Sequence, residues 1–591
     1  MTILNETIHT VLTKSLLNNP SEPRKNQHLH SDIVGFSYVK GTQKDPLIYT
    51  TIGKVFAATV AKFGSRESAV FIAQNKRFSY YDLDREVDRL AGGWLSLGLK
   101  TGDRLGIWSP NRYEWLITQF ATAKIGIILV NLNPAYRLNE LEYALNKVQC
   151  KALLLAPAFK SSNYLEMIET LVPELACATN YKIEAKRVPS LQHIICMGES
   201  QHNGIYRFEQ ICNMAGPAHK MMIAEIEKKL DPDDPINIQF TSGTTGTPKG
   251  ATLSHYNILN NANFVTQAMN FSEDDVLCLP VPLYHCFGMV MGTLGCVMRA
   301  AKMVFPSEVF SPESCLDALD NERCTALYGV PTMFVSMFSQ ADFKDRDYSH
   351  LRTGIMAGAL CPIEVMKQAI NDLNMSQITI CYGMTETSPV SFQTHVDTPL
   401  DKRVATVGLI HPHLEVKIIN STGEKVIIGE KGELCTRGYS VMLGYWGDRE
   451  TTNNTIDTKG WMHTGDLAVL DREGYCTIVG RIKDMIIRGG ENIYPKEIED
   501  FIVKHAAIAN VQIFGITSEK YGEEVCAFII LNDQCHLSAD ALKEYCKGQI
   551  SGYKIPKYIE FIEEMPMTVT GKPQKFVMKK MMQEILDNLA D

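Results

Sequence analysis

From Ser79 onward, hydrophobic positions alternate between helical and strand spacing. Leu83, Val87, Leu90, Trp94 and Leu97 recur at three- and four-residue steps, with Ser79 placed as an N-cap and Gly98 as a C-cap; the spacing predicts an amphipathic helix. A strand is expected at 104–108. A helical stretch over 113–124 leads to a strand at 126–130, and another over 138–147 leads to a strand at 152–155. Such alternation predicts an α/β fold with layers around largely parallel sheets. Between about 404 and 479 the texture becomes short β-rich runs, such as 414–419 and 475–479, separated by glycine-containing turns, which predicts a β-rich subdomain. Beyond the charged segment 481–484, Pro495 opens a helix with acids in its first turn, in which Ile498, Phe501 and Ile502 share a face. The chain is therefore read as an N-terminal extension (1–45), a large domain of several subdomains (46–482) and a small α+β C-terminal domain (483–591).

Composition narrows the function classes. The stretch Val276 to Met298 has no formal charge, but Pro280, Pro282, Tyr284 and His285 interrupt it, so it reads as buried strand, loop and helix and no transmembrane segment is expected. With 45% hydrophobic and 21% charged residues the chain is a folded one. A net charge of -9 leaves no basic footprint, which argues against nucleic acid as principal partner. Sixteen cysteines occur without a CxxC pair or zinc-type spacing, as expected of reduced thiols rather than a disulfide framework or metal site. Near the start, Ile3, Leu4, Ile8, Val11, Leu12 and Leu16 are spaced for an amphipathic helix. That segment is poor in arginine and carries Glu6, Glu22 and Asp32, so composition balances a mitochondrial transit peptide against none. The final residues are not a peroxisomal SKL signal.

The clearest chemistry lies at TSGTTGTPKG, residues 241–250, after the apolar strand 236–240. Thr241, Ser242, Gly243, Thr244, Thr245, Gly246, Thr247 and Lys249 combine small residues, hydroxyls and one ammonium. Glycines let backbone N–H groups approach anionic oxygens, hydroxyls donate further bonds, and lysine offsets phosphate charge. This is not a Walker loop, because Pro248 stands where that motif requires glycine.

The decapeptide resembles the signature of the adenylate-forming superfamily of acyl-CoA synthetases, firefly-type luciferases and peptide-synthetase adenylation domains. Further elements similar to that family's follow in order, and together they span roughly Thr51 to Lys575. LYHCFG (283–288) is similar to its aromatic gate, implying that His285 borders the substrate carboxylate. AGA (357–359) is similar to the loop beside adenine, with Gly358 and Ala359 allowing close approach. YGMTE (382–386) implies that Tyr382 stacks on adenine, Thr385 bonds the α-phosphate and Glu386 helps hold Mg2+, a hard cation that takes oxygen ligands. GWMHTGD (460–466) resembles the ribose element, implying hydrogen bonds from both ribose hydroxyls to Asp466, with Arg481 adding a contact. Lys483 occupies the family's hinge position, Gly489 and Gly490 would face the thiol tunnel, and Lys572 in TVTGKPQK (568–575) matches the catalytic lysine.

The resemblance implies ATP and CoA as co-substrates, a small-molecule carboxylic acid as the third, and two half-reactions served by a mobile C-terminal domain. The cysteines, including Cys286, read as packing residues. Segments 234–240, 283–286, 439–446 and 484–495 resemble the medium-chain acyl-CoA ligases in particular, which implies a saturated medium-chain acid and a mitochondrial location, with the cytoplasm as the alternative. Phe287, Met289, Val330 and Met333 are candidates for the acyl pocket. A luciferase-like enzyme shares the adenylation residues and stays open, as does another acid or acceptor. A peptide-synthetase module should continue into a carrier domain, whereas nineteen residues follow Lys572. A binding protein that had lost catalysis should have eroded Lys249, Glu386, Asp466 and Lys572, and all four are present.

Overall fold

The computed structural model describes residues 35–590 except 179, 180, 182, 200, 242–247, 360, 490, 519 and 569–571. The amphipathic pattern over residues 3–16 lies outside the described residues. Two compact units are present. One comprises Lys40–Glu415 and Thr436–Met462; the other comprises residues 35–39, Val416–Cys435 and 463–590.

The helix expected after Ser79 spans Tyr80–Ser96 and begins with a reciprocal capping box. Ser79 Oγ accepts from the Asp82 backbone N–H at 3.1 Å, and Asp82 Oδ2 accepts from the Ser79 N–H at 3.0 Å. Leu97 caps the other end, followed by Gly98 at φ 81°. The helix Tyr113–Ile125 ends on Gly126 in the left-handed region (φ 69°), so the next strand starts at Ile128 and not at Gly126 as the hydrophobic run predicts. Glycine closes the helix there, and the chain cannot join a ladder while it turns.

Eight strands of the first unit form a sheet in the order Tyr206–Arg207, His193–Cys196, Ala152–Leu155, Arg104–Trp108, Ile128–Asn131, Pro235–Thr241, Lys249–Ser254, Gly444–Tyr445. It is parallel as far as Pro235–Thr241 and antiparallel over the last two pairings. A nine-stranded sheet runs parallel from Gln377–Gly383 through Thr353–Ala357, Ala326–Gly329, Val276–Cys278 and Lys302–Phe305 to Glu67–Phe71, with antiparallel strands at both edges. Its core includes Leu316, Leu327, Phe334 and Met356, all fully buried; burial of such a side chain contributes roughly 1.5–3 kcal/mol. The uncharged stretch from Val276 resolves into the strand Val276–Cys278, a loop, a π-helix over Phe287–Leu294 and the helix Gly295–Arg299. Among the described residues no helix is long and apolar enough to cross a membrane. All sixteen cysteines are free.

In the second unit, Asp466–Leu470 pairs antiparallel with Cys476–Arg481. A separate sheet, ordered Glu491–Ile493, Ile486–Arg488, Gly522–Leu531, Ile508–Ser518, takes Tyr558–Phe561 parallel to Gly522–Leu531. The helix Pro495–Ile502 packs Ile498 and Ile502 into the core of this sheet, with Phe501 against its side.

Two buried histidines of the first unit make its stability depend on pH. His255 Nδ1 accepts from the Ile52 N–H at 3.2 Å, and His411 Nε2 lies 2.9 Å from Gln393 Oε1. Burial pushes both imidazoles down to about 3. In the unfolded chain each takes up a proton below about pH 6.5, whereas the folded form does so only near 3. The unfolded state thus binds more protons in this window, and stability falls with acidification by about 1.4 kcal/mol per pH unit for each group. The melting temperature is expected to drop between pH 7 and pH 5, with a shallower drop for His411→Gln. Parallel profiles for the two proteins would contradict this.

Candidate functional site

In the first unit, several of the expected residues sit at the carboxyl ends of parallel strands, where open α/β sheets place their ligands. Thr241 ends Pro235–Thr241, and Lys249 begins the antiparallel strand with Thr241 as its register partner. The strands on either side of the glycine- and hydroxyl-rich segment therefore pair antiparallel. Ser242, Gly243, Thr244, Thr245, Gly246 and Thr247 themselves lie outside the described residues.

Glu386 follows the strand Gln377–Gly383 in a short 3-10 turn, Thr385–Thr387, with Thr385 buried beside it. Its Oε1 accepts from Thr241 Oγ1 at 3.3 Å and from the Tyr445 hydroxyl at 2.8 Å. Lys249 Nζ stands 5.2 Å from the centre of the same tyrosine ring, within cation–π range. Burial and the Glu386 charge push the Tyr445 phenol far up, so it stays protonated and donates. Glu386 is 9% exposed, and among the described residues no lysine or arginine pairs with it. Glu386, Thr241 and Tyr445 form an all-oxygen donor set built around a carboxylate, which fits a hard divalent cation.

Backbone geometry fixes this corner. A Cβ on Gly383 would fall 1.7 Å from the Pro389 carbonyl oxygen, so no other residue fits the chain reversal that presents Thr385 and Glu386. Tyr382, half-buried, lies against Phe392 at 6.4 Å and 56°. Gly358 leaves the neighbouring strand Thr353–Ala357 at φ 90°, and both it and Ala359 are exposed.

His285 occupies a turn before the π-helix. Its Nδ1 accepts from the Phe287 N–H at 3.2 Å. Because that N–H can only donate, the neutral ring carries its proton on Nε2. Cys286 donates to Gln239 Oε1 at 3.1 Å in a fully buried position, as a packing thiol does. Phe287, Met289, Val330 and Met333 are all buried, and Phe287 stacks on Tyr328 at 5.4 Å.

The second unit holds Asp466, Arg481, Lys483, Gly489 and Lys572. Asp466 and Arg481 are register partners, and Arg481 Nε meets Asp466 Oδ1 at 2.8 Å. Arg481 therefore contacts the carboxylate expected to hold ribose. Glu433 braces the preceding turn: Oε1 accepts from the Gly465 N–H at 3.2 Å, and Oε2 lies 2.9 Å from His463 Nδ1. Cys435 joins this pair within 4.8 Å, a grouping that chain spacing does not reveal. Lys483 is exposed in the 3-10 turn Ile482–Asp484. Gly489, at φ 60°, donates its N–H to the Tyr521 carbonyl at 2.8 Å; Gly490 lies outside the described residues. The Lys572 N–H donates to Thr568 Oγ1 at 2.9 Å, and the Lys572 carbonyl accepts from the Thr568 N–H at 2.8 Å.

A model of the AMP-binding enzyme family matches residues 56–446, and one of the AMP-binding enzyme C-terminal domain matches residues 497–572. The chain belongs to the AMP-binding enzyme family. Within it, the chain is 45% identical over 547 residues to the medium-chain acyl-CoA ligase ACSF2, mitochondrial, of Danio rerio, covering 92% of this chain and 90% of that protein. It is 42% identical over 587 residues to the Mus musculus protein of the same name, covering 96% and 95%. Among solved structures, ATP-bound MatB from Rhodopseudomonas palustris is similar at a TM-score of 0.79 and 26% identity, covering 90% of this chain and 99% of that one. The anthranilate CoA ligase AuaEII in complex with anthranoyl-AMP shares the fold at a TM-score of 0.80 and 23% identity, covering 92% and 99%.

Tyr445 and Glu433 are the site residues that motif reading missed. Tyr445 carried one signal, its place in the aromatic doublet Tyr445–Trp446 within a segment already singled out. Glu433 carried none, since a glutamate after Gly432 in a strand is unremarkable until the neighbouring strand is known.

Proposed function

We propose that this AMP-binding enzyme is an ATP-dependent fatty acid:CoA ligase, AMP-forming, that acts on medium-chain acids. The observation that carries the reading is the convergence of Thr241 and Tyr445 on Glu386, with Lys249 over the same ring, at the carboxyl ends of the parallel strands. Identity above 40% to medium-chain acyl-CoA ligases over most of both chains supports it.

In the first half-reaction a carboxylate oxygen of the acid attacks the α-phosphorus of ATP. The new O–P bond forms as the bond to the bridging oxygen breaks, and pyrophosphate leaves with the electron pair. Both reactants are anions, so the chain must offset repulsion as well as align them. Lys249 and the loop Ser242–Thr247 are assigned to phosphate, Thr385 to the α-phosphate, and Lys572 to bridging carboxylate and phosphate. Tyr382 stacks on adenine beside Gly358 and Ala359, Asp466 and Arg481 bind ribose, and His285 orients the carboxylate through its Nε2–H. Glu386, with the Thr241 and Tyr445 hydroxyls, would hold Mg2+, which supplies charge neutralisation at the phosphates. In the second half-reaction the CoA sulfur attacks the acyl carbonyl carbon, the C–O bond to AMP breaks, and the thiol proton is lost. Lys483 is assigned the pivot between the two, and Gly489 and Gly490 the approach of CoA.

Thioester formation with ATP, Mg2+ and CoA across acids of increasing length, read by mass spectrometry, tests the substrate. A maximum between short and long chains is expected; a flat profile or a long-chain optimum would refute the medium-chain assignment. The relatives' names include a mitochondrial location, and we assign the same to this protein, with residues 1–45 as its targeting segment. A fluorescent fusion carrying those residues that stayed outside mitochondria would contradict this.

A further inference from the structure

Glu433, Cys435 and His463 bring an oxygen, a sulfur and a nitrogen together in the second unit, all within 4.8 Å of one another. Among the described residues no other cluster of three or more such groups occurs. Glu433 and Cys435 are two residues apart in one strand, so their side chains share a face. His463 stands in the adjacent strand, 28 residues beyond Cys435, which is why the chain shows no zinc-type spacing. We propose that these three side chains bind a borderline-soft divalent cation of the Zn2+ class, with the fourth coordination position left to solvent.

The geometry is centred on one ring nitrogen. His463 Nδ1 lies 2.9 Å from Glu433 Oε2 and 3.6 Å from Cys435 Sγ. A proton on Nδ1 makes one good hydrogen bond at a time, whereas a cation between the three atoms is shared by all of them. Tetrahedral Zn2+, with bonds of ~2.0 Å to nitrogen or oxygen and ~2.3 Å to sulfur, sets its donors about 3.3–3.6 Å apart. The nitrogen–sulfur separation already has that value, and the nitrogen–oxygen pair needs to open by roughly half an ångström. Cys435 is fully buried, while the side chains of Glu433 and His463 are 19% and 34% exposed. The ion is therefore reached past the carboxylate and the imidazole, and water completes its shell. Sulfur and imidazole nitrogen select a softer ion than the all-oxygen set around Glu386. On binding, Nδ1 gives its lone pair with the ring proton on Nε2, and Cys435 binds as the thiolate, its proton passing to solvent. Glu433 Oε1 still accepts from the Gly465 N–H at 3.2 Å, so the ion ties the two strands together just before Asp466.

The test titrates Co2+, a coloured stand-in for Zn2+, into the dialysed full-length protein. One equivalent is expected to give a sulfur-to-cobalt charge-transfer band that is lost in Cys435→Ser, and that Zn2+ abolishes but excess Mg2+ does not. The Zn2+ Kd, from competition with a chromophoric chelator, should rise about 100-fold in Cys435→Ser and about tenfold in Glu433→Gln, which keeps a neutral oxygen. Serine leaves the other cysteines in place and changes the side-chain volume little, and equal melting temperatures of variant and wild type check the fold. Should Cys435→Ser melt early, His463→Asn, which can still donate to Glu433, gives the Kd readout, with a rise of about 100-fold expected. Absence of the cobalt–sulfur band in the wild type, a band that persists in Cys435→Ser, displacement by Mg2+, or a Zn2+ Kd within about threefold of wild type in the folded variant would overturn the site.

Discussion

Lys572→Met is expected to slow acyl-adenylate formation by about 10²–10³-fold, the usual loss when one preorganised charge facing a developing anion is removed. Conversion of preformed acyl-adenylate to thioester should keep most of its rate. The Lys572 backbone is held by Thr568: the Lys572 N–H donates to Thr568 Oγ1 at 2.9 Å and the Thr568 N–H to the Lys572 carbonyl at 2.8 Å. Neither of these bonds uses the ammonium group, so methionine preserves both bonds and the aliphatic stem while deleting the charge. An arginine keeps the charge but spreads it over a planar fork, which suits a tetrahedral approach between carboxylate and phosphate poorly; it should recover only part of the rate. Single-turnover measurement of acyl-AMP, beside a chase of synthetic acyl-AMP with CoA, separates the two steps. Equal loss in both would show that Lys572 does not act in adenylation alone.

How far the sequence could be read depends on the distance over which each contact is set. The helix Tyr80–Ser96 was legible because its signals are local: the Ser79 and Asp82 capping box and the apolar stripe from Leu83 to Trp94 lie within one segment. So was the apolar strand before the phosphate loop, expected at 236–240 and spanning Pro235–Thr241. Local reading slipped where a backbone requirement outranked hydrophobicity. Gly126 continues an apolar run, yet its left-handed φ closes the preceding helix. In the uncharged run from Val276, breaker residues correctly argued against a membrane span, but nothing in side-chain spacing distinguishes the π-helix Phe287–Leu294 from an α-helix.

Long-range partnerships were the least legible. Tyr445 and Glu386 are 59 residues apart in the chain, and they meet because Gly444–Tyr445 pairs with Lys249–Ser254 at the edge of one sheet while Glu386 leaves a strand of the other. The pairing of Asp466 with Arg481 becomes visible only when the hairpin register puts them opposite each other. Family resemblance singled out Glu386, Asp466 and Arg481, but not Tyr445, and said nothing of their geometry. It implied Asp466 and Arg481 as neighbours of ribose, and the structure adds an ion pair between them.

Glu386→Gln separates function from stability in a way that a merely structural carboxylate would not. Glu386 is nearly buried, and among the described residues the hydrogen-bond partners of its carboxylate are two neutral hydroxyls. A buried carboxylate without a cation costs free energy, and glutamine keeps the shape and one accepting oxygen while removing that cost. The variant is expected to melt at the wild-type temperature or slightly above it. Adenylation should fall about 10²-fold, and the magnesium concentration giving half-maximal rate should rise, because the charged oxygen is the group expected to hold the cation. Tyr445→Phe loses one hydrogen bond to that carboxylate and keeps the ring beside Lys249, so its rate should fall only about tenfold, with a smaller shift in magnesium dependence. Thermal melts and magnesium titrations of the three proteins decide the matter. If Glu386→Gln unfolds at lower temperature and its magnesium dependence matches wild type, the carboxylate is a structural acceptor for Thr241 and Tyr445, and the cation must be held by other groups.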